Sequence, residues 1–468
     1  MTNKNFRIEV DSLGEKKIPI DVYYGIQTQR GIENFPVSGM TESPIFIKSY
    51  VLLKKAAAIV NNQVGYLDKR ISNAILDACD FILEGNLFDQ FKIDVFQAGA
   101  GTSFNMNVNE VIVNKSLEIL NEKKGNYKII NPNDHVNMAQ STNDSFPSAM
   151  NIAILFALEE FYPVLHDLSN SFLKKAEEFK DIIKSGRTHL QDAVPISLGQ
   201  EFKAYGIVLK DLIIRLKETS KLLEYLPIGG TATGTGINSH PDYTKLMIKK
   251  LSEITPFTFK EPEDLRAVMQ SRKAISAISS GLKELSLELI RIANDLRLLS
   301  SGPTTGLNEI ELPKAQPGSS IMPGKVNPVI LECLNMVAFH VIGNDLTVSL
   351  AVQAGQLELN VMMPLMIHNI LESLKILTNF LKIVKSKCID GIKANELRCK
   401  DYLEKNPSLA TFLNPIIGYL EAAKIANESV EKNKSIKELI LEKKLMSKEQ
   451  LNDLFDKDFL IGIKKEKK

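Results

Sequence analysis

The sequence predicts a mainly α-helical protein with a central bundle of long helices, and two apolar seams carry that expectation. Within 264–300, Ile275, Ile278, Leu282, Leu285, Leu289, Ile292, Leu296 and Leu299 recur three and four residues apart. That spacing marks the buried stripe of one long helix packed nearly lengthwise on others. Leu198, Phe202, Tyr205, Leu209, Leu212, Leu216, Leu223 and Leu226 repeat the pattern.

Residues 1–143 are mixed in composition with short segments, as expected of a mainly helical N-terminal domain. Ser141-Thr142-Asn143 supplies residue types that cap helices, and a helix is expected from there to about 180. At 1.5 Å per residue, a helix of about 36 residues is on the order of 54 Å long. Gly302 and Pro303 stop the 264–300 helix, and another follows Pro328 to about 350. Residues 144–395 thus form the central bundle, and the lysine-rich 396–468 a small C-terminal helical domain. There is no internal repeat and no low-complexity linker.

The 468 residues carry 57 basic and 56 acidic side chains, a net charge of +1. That balance gives no reason to expect nucleic acid or a membrane as partner. No uninterrupted apolar run reaches membrane-spanning length; "NIAILFALEEFYPVL" carries Glu159 and Glu160. The polar N-terminus does not read as a signal or transit peptide. Cys79, Cys333, Cys388 and Cys399 lack C-x-x-C spacing, which suits a reduced cytoplasmic setting without structural zinc.

Four polar patches stand out. "GAGTSFNMN" contains Gly99, Gly101, Thr102, Ser103 and Asn105, either a turn with a helix cap or a backbone cradle for an anion. "STND" at 141–144 has the same two readings. Thr188-His189 offers a histidine that is either structural or catalytic. "GSSIMPGKVNP", 318–328, combines loop-forming Gly318, Pro323, Gly324 and Pro328 with Ser319, Ser320, Lys325 and Asn327, groups that hold anions. "GGTATGTG", 229–236, lacks the Gly-Lys-Ser/Thr of a phosphate loop and reads as a connector. The six histidines show no metal-ligand spacing. Because a long helix separates 141–143 from 188–189, a site using both must join different subunits packed antiparallel, most simply in a tetramer.

Together these patches resemble the aspartase/fumarase superfamily of lyases. The likeness runs in order through "DVYYGIQTQR", "GAGTSFNMNVNE", "NDHVNMAQSTNDSFP", "GRTHLQDAVP", "ANDLRLLSSGP" and "GSSIMPGKVNP", over nearly the whole chain. Tyr23-Tyr24, "QAGAGTS", "DAVPISLGQEF" and "AGQLELNVM" lean to the aspartase branch. Met363, Thr304 and "NPSLATFLNP" from 406 depart from its usual pattern. The resemblance implies a three-domain fold, a homotetramer with shared sites, no cofactor, and reversible loss of ammonia from L-aspartate to give fumarate. The alternatives are a class II fumarate hydratase or a non-catalytic member of the fold.

By that resemblance, Ser319 removes the proton next to the β-carboxylate. Donors from Thr102, Ser141, Thr142 and the Ser319-Ser320 loop hold the enediolate-like intermediate. Removing one such donor typically costs about 10²–10³ in rate, roughly 3–4 kcal/mol. Lys325 and Asn327, with Thr188, hold the α-carboxylate, while Asn143 and His189 sit near the leaving amine. Gly318 and Gly324 flank the moving loop. Glu332 is either a solvated helix residue or the carboxylate that orients His189.

Overall fold

The computed structural model describes residues 5–463. The chain is mainly helical; strand structure among the described residues is confined to three antiparallel two-stranded pairings. The long helices are Thr142–Glu178, Leu198–Ser220, Lys273–Leu299, Val329–Gln353 and Met363–Lys387. Each has residues in both of two compact units. The 37-residue Thr142–Glu178 helix continues through Pro163 as one element.

Every predicted seam residue from Ile275 to Leu299 is buried. The helix carrying them is shorter than expected, because the chain breaks at Ser271-Arg272. Asp264 caps a short Leu265–Gln270 helix, Ser271 is extended, and its Oγ accepts Lys273 N at 3.3 Å to restart the helix. In the other seam Leu212 is only half-buried, and Ile213 is turned inward instead.

Two helices are long and apolar enough to cross a membrane by length and composition alone. The expectation of no such segment therefore holds only for uninterrupted runs. In Thr142–Glu178, 78% of the most apolar window is buried, as in a core helix; in Val329–Gln353 only 39% is.

The first unit takes the chain up to Tyr162, Ile214–Glu284 and Phe339–Leu377. Its N-terminal hairpin pairs Phe6–Asp11 with Gly14–Pro19. The core contains Phe46, Tyr50, Phe104 and Phe146, whose rings meet edge-on or stacked at 5.0–5.9 Å. Such contacts tie the Pro44–Gln63 and Thr102–Ile119 helices to the start of Thr142–Glu178. Met363, one of the departures noted above, is fully buried.

The second unit takes Pro163–Ile213, Leu285–Ala338 and the chain from Thr378 onward. It contains an Ile183–Thr188/Gln191–Ser197 hairpin that the sequence reading missed. Near the C-terminus, Leu409, Leu413, Ile425, Ile436, Leu439 and Ile440 form a small apolar cluster. Asn406 links this region to the hairpin, donating to Ser185 Oγ at 3.0 Å and Ala193 O at 2.7 Å.

Candidate active site

The predicted residues divide between the two units. Thr102 and Ser141-Thr142-Asn143 lie in the first. Thr188-His189, Gly318 to Asn327 and Glu332 lie in the second.

In the first unit, Thr102 and Thr142 each begin a helix. Gly101 explains how those two helix starts approach. Its φ is +82°, and a Cβ there would sit 2.1 Å from the Phe146 ring, so only glycine fits. Asn105 Nδ2 then donates to Thr142 Oγ1 at 3.0 Å. Thr102 is exposed, Ser141 half-buried and Thr142 buried, and helix N-termini of this kind attract anions.

Ser141 Oγ accepts Asn143 N at 3.2 Å, and Asp144 Oδ1 accepts Ser141 N at 2.9 Å, a reciprocal cap. The other oxygen of Asp144 accepts Gly229 N and Thr231 N at 3.0 and 2.9 Å, while Asn143 Nδ2 donates to Ala232 O. The glycine-rich 229–236 segment is thus more than a connector: it braces the STND turn. Asp144 was overlooked as a functional residue, although an S-x-x-D spacing announces it.

Behind Thr142 lies a buried lysine that the sequence reading also missed. Lys54 has no exposed surface, and its Nζ donates to Asn137 Oδ1 and Gln140 Oε1 at 3.0 and 2.9 Å. Asn137 Oδ1 also accepts Asn105 Nδ2, completing a chain from the ammonium to Thr142. Burial pulls the Lys54 pKa down to about 7, partly opposed by Asp144. Burial likewise pushes Asp144 up to about 7, against its backbone donors and Lys54.

In the second unit, His189 and Leu190 form the two-residue turn of the hairpin, with φ of 55° and 59°. Both are left-handed, the geometry of a tight primed turn, and neither is glycine. The turn exposes Thr188 and His189. Gly186 makes the bulge behind them; a Cβ there would meet Val194 O at 2.5 Å. Below it, fully buried Glu309 accepts both Arg187 terminal nitrogens at 2.9 and 3.0 Å and Lys184 Nζ at 2.9 Å. Lys184 also reaches Glu201 at 2.9 Å. This compensated quartet ties the hairpin to Glu201 and Glu309.

The 318–327 loop closes on itself. Gly318 N donates to Lys325 O at 2.9 Å, and Asn327 Nδ2 to Gly318 O at 2.7 Å. A Cβ on Gly318 would lie 2.5 Å from Asn327 N, so close approach of the backbone requires glycine here. Gly324, at φ +82°, has open space around it. Ser319 Oγ accepts Ile321 N and Met322 N at 3.3 and 3.0 Å. Ser320 and Lys325 are exposed, and no described carboxylate pairs with Lys325.

Glu332 sits half-buried in the first turn of Val329–Gln353. Among the described residues no hydrogen bond or ion pair joins it to His189, and none joins the hairpin turn to the Ser319 loop. Each unit therefore carries some of the predicted residues, and Ser319 Oγ already accepts two backbone N–H groups.

A family model described as "Lyase" matches residues 14–343, and one described as "Fumarase C C-terminus" matches 409–462. An aspartate ammonia-lyase from a Bacillus species is 48% identical over 454 residues, covering 97% of each chain. A solved fumarate lyase:delta crystallin structure from Brucella melitensis matches with TM-score 0.95 and 45% identity, over 98% of this chain and all of that one. A class II fumarase from Schistosoma mansoni matches with TM-score 0.93 but only 35% identity, over 98% of this chain and all of its own. With near-complete coverage at such identity, the chain belongs to the aspartate ammonia-lyase family of the aspartase/fumarase superfamily.

Proposed function

We propose that this chain catalyses the reversible elimination of ammonia from L-aspartate to fumarate, at a dicarboxylate site shared between copies. The observation that carries the reading is near-full-length likeness to aspartate ammonia-lyase at 48% identity, against 35% for the fumarase.

Ser319 is the base. A free serine hydroxyl is far too weak, so its alkoxide needs donors that are in place before the proton moves. The Ile321 and Met322 N–H groups on Oγ support that role. Proton loss from the carbon beside the β-carboxylate puts a second negative charge on that group. Thr102, Ser141, Thr142 and Ser320 receive it with hydroxyls and helix N-terminal N–H groups. Lys325 is a point charge for the α-carboxylate, assisted by Thr188 and by the remaining amide hydrogen of Asn327. Asn143 and His189 face the departing amine, with Glu332 of another copy orienting the histidine. No cofactor takes part. The bundle's acid and base roles all fall to side chains.

Assembly as a homotetramer is supported by an uncovered apolar stripe. On Val329–Gln353, Met336, Phe339, Leu346 and Leu350 are 67%, 57%, 63% and 54% exposed. With Gly343 they repeat at seven-residue spacing, the pattern of a helix seam. A Cβ on Gly343 would touch nothing within 4 Å, so within one chain this glycine has no packing reason. A second copy packed on the stripe gives it one. Four unpaired thiols agree with a cytoplasmic setting.

Purified protein incubated separately with L-aspartate and L-malate tests the reaction through fumarate absorbance. Signal from aspartate is expected; signal from malate alone overturns the assignment.

A further inference from the structure

The first unit contains a cavity of about 450 Å³ lined by Asn151, Leu222, Tyr225, Pro227, Val268 and Arg272, with the start of the Lys273–Leu299 helix. None of the residues given above to the dicarboxylate lines it. Arg272 is the anomaly there. It is only 5% exposed, its terminal nitrogen donates to Met269 O at 2.7 Å, and its Nε is buried with no hydrogen-bond partner. Burial alone pulls its pKa down to about 10, with no carboxylate offsetting it, so it stays charged at neutral pH.

The two acidic residues at the cavity do not compensate it. Asp264 is taken by Arg266, whose Nε and terminal nitrogen both reach it at 2.8 Å. Glu263 is exposed. A buried guanidinium with one carbonyl acceptor and no carboxylate is costly, and proteins pair such charges. The planar fork of arginine fits a carboxylate or phosphate, and the first N–H groups of a long helix favour the same charge. Leu222, Pro227, Val268 and Ile275 give the cavity an apolar part, beside the polar Asn151, Tyr225, Ser271 and Lys273.

We propose that this cavity is a second binding site, taking a small molecule that carries one carboxylate or phosphate group on an apolar body. The oxyanion rests on Arg272 and the helix start, and the body fills the apolar end.

Calorimetric titration of the full-length protein with phenyl phosphate and phenylacetate tests this, with saturating succinate occupying the dicarboxylate site. Saturable binding of one molecule per chain is expected, and the tighter of the two probes identifies the oxyanion. Inorganic phosphate, which lacks the apolar body, binds about tenfold or more weakly. Arg272→Gln weakens the aromatic anion by about tenfold to a hundredfold, the loss of a charge-assisted contact, while turnover of aspartate persists. Val268→Trp keeps the guanidinium but fills the cavity and abolishes binding, which decides the matter should the arginine variant misfold. Absence of saturable binding, or unchanged binding in either folded variant, overturns the proposal.

Discussion

Replacing Glu309 by glutamine removes the hub of the quartet under the Thr188-His189 turn. The carboxylate is fully buried and accepts three charged N–H donors at 2.9–3.0 Å. Glutamine preserves the volume but offers one acceptor oxygen and turns an NH₂ toward a guanidinium or ammonium. Removing one partner of a buried pair costs about 3–5 kcal/mol, because the other charge stays buried alone. Lys184 keeps Glu201 at 2.9 Å, so Arg187 is the group left uncompensated. That places the expectation near the lower end, about 3 kcal/mol, or roughly two powers of ten in an opening equilibrium. Hydrogen exchange of the amides in 183–197 reads that opening directly. Protection in Glu309→Gln is expected to fall about a hundredfold, with turnover lowered because the hairpin carries Thr188 and His189. A loss of protection below about threefold refutes the reasoning that the quartet holds the hairpin.

Ser319→Ala is expected to cut turnover by at least about 10³ while assembly and melting stay unchanged; near-normal turnover removes Ser319 from the base role. Leu346→Glu places a charge on the exposed stripe and should yield inactive monomers or dimers by light scattering, whereas an intact active tetramer speaks against that interface. Glu42 is 5% exposed, and burial, with Asp94 second, pushes its carboxyl up to about 8. A raised carboxyl pKa means the folded state holds the proton more tightly. The contribution of Glu42 to stability is therefore most favourable below the ordinary 4.5 and declines as pH rises to 8. Glu42→Gln should then stabilise the protein by on the order of 5 kcal/mol at pH 8.5 and little at pH 4.5; an equal gain at both would count against the assignment.

The fold was legible wherever local periodicity decides burial. The stripe from Ile275 to Leu299 is buried at every position, because a helix on helices needs only its own spacing to choose a face. At Leu212 the same rule slipped by one residue, and adjacent Ile213 competes for the inward face. The break at Ser271-Arg272 was missed because the apolar stripe begins only at Ile275, leaving nothing periodic before it. The 183–197 hairpin depends on Glu309, more than a hundred residues onward, and on turn residues other than glycine. Nothing local announces it.

The site divided in the same way. Polar loops with small hydroxyls are visible in sequence, so Thr102, Ser141 to Asn143, Thr188-His189 and the Ser319 loop were all singled out. Lys54 was hidden inside an apolar helix, and Asp144 reads from its S-x-x-D spacing as no more than an ordinary cap. Their importance lies in burial and in partners brought from 137–140 and 229–231, which only folding reveals.

Mixing two inactive variants tests the shared site most directly. Thr102→Val removes a donor from the first unit's half, and Ser319→Ala removes the base from the second's. Co-refolded in equal amounts, sites built from different chains regain both groups in about one case in four, so about a quarter of normal aspartate turnover should return. If mixed assemblies form, as native mass spectrometry would register, and activity stays at the level of the separate variants, the two halves do not come from different copies.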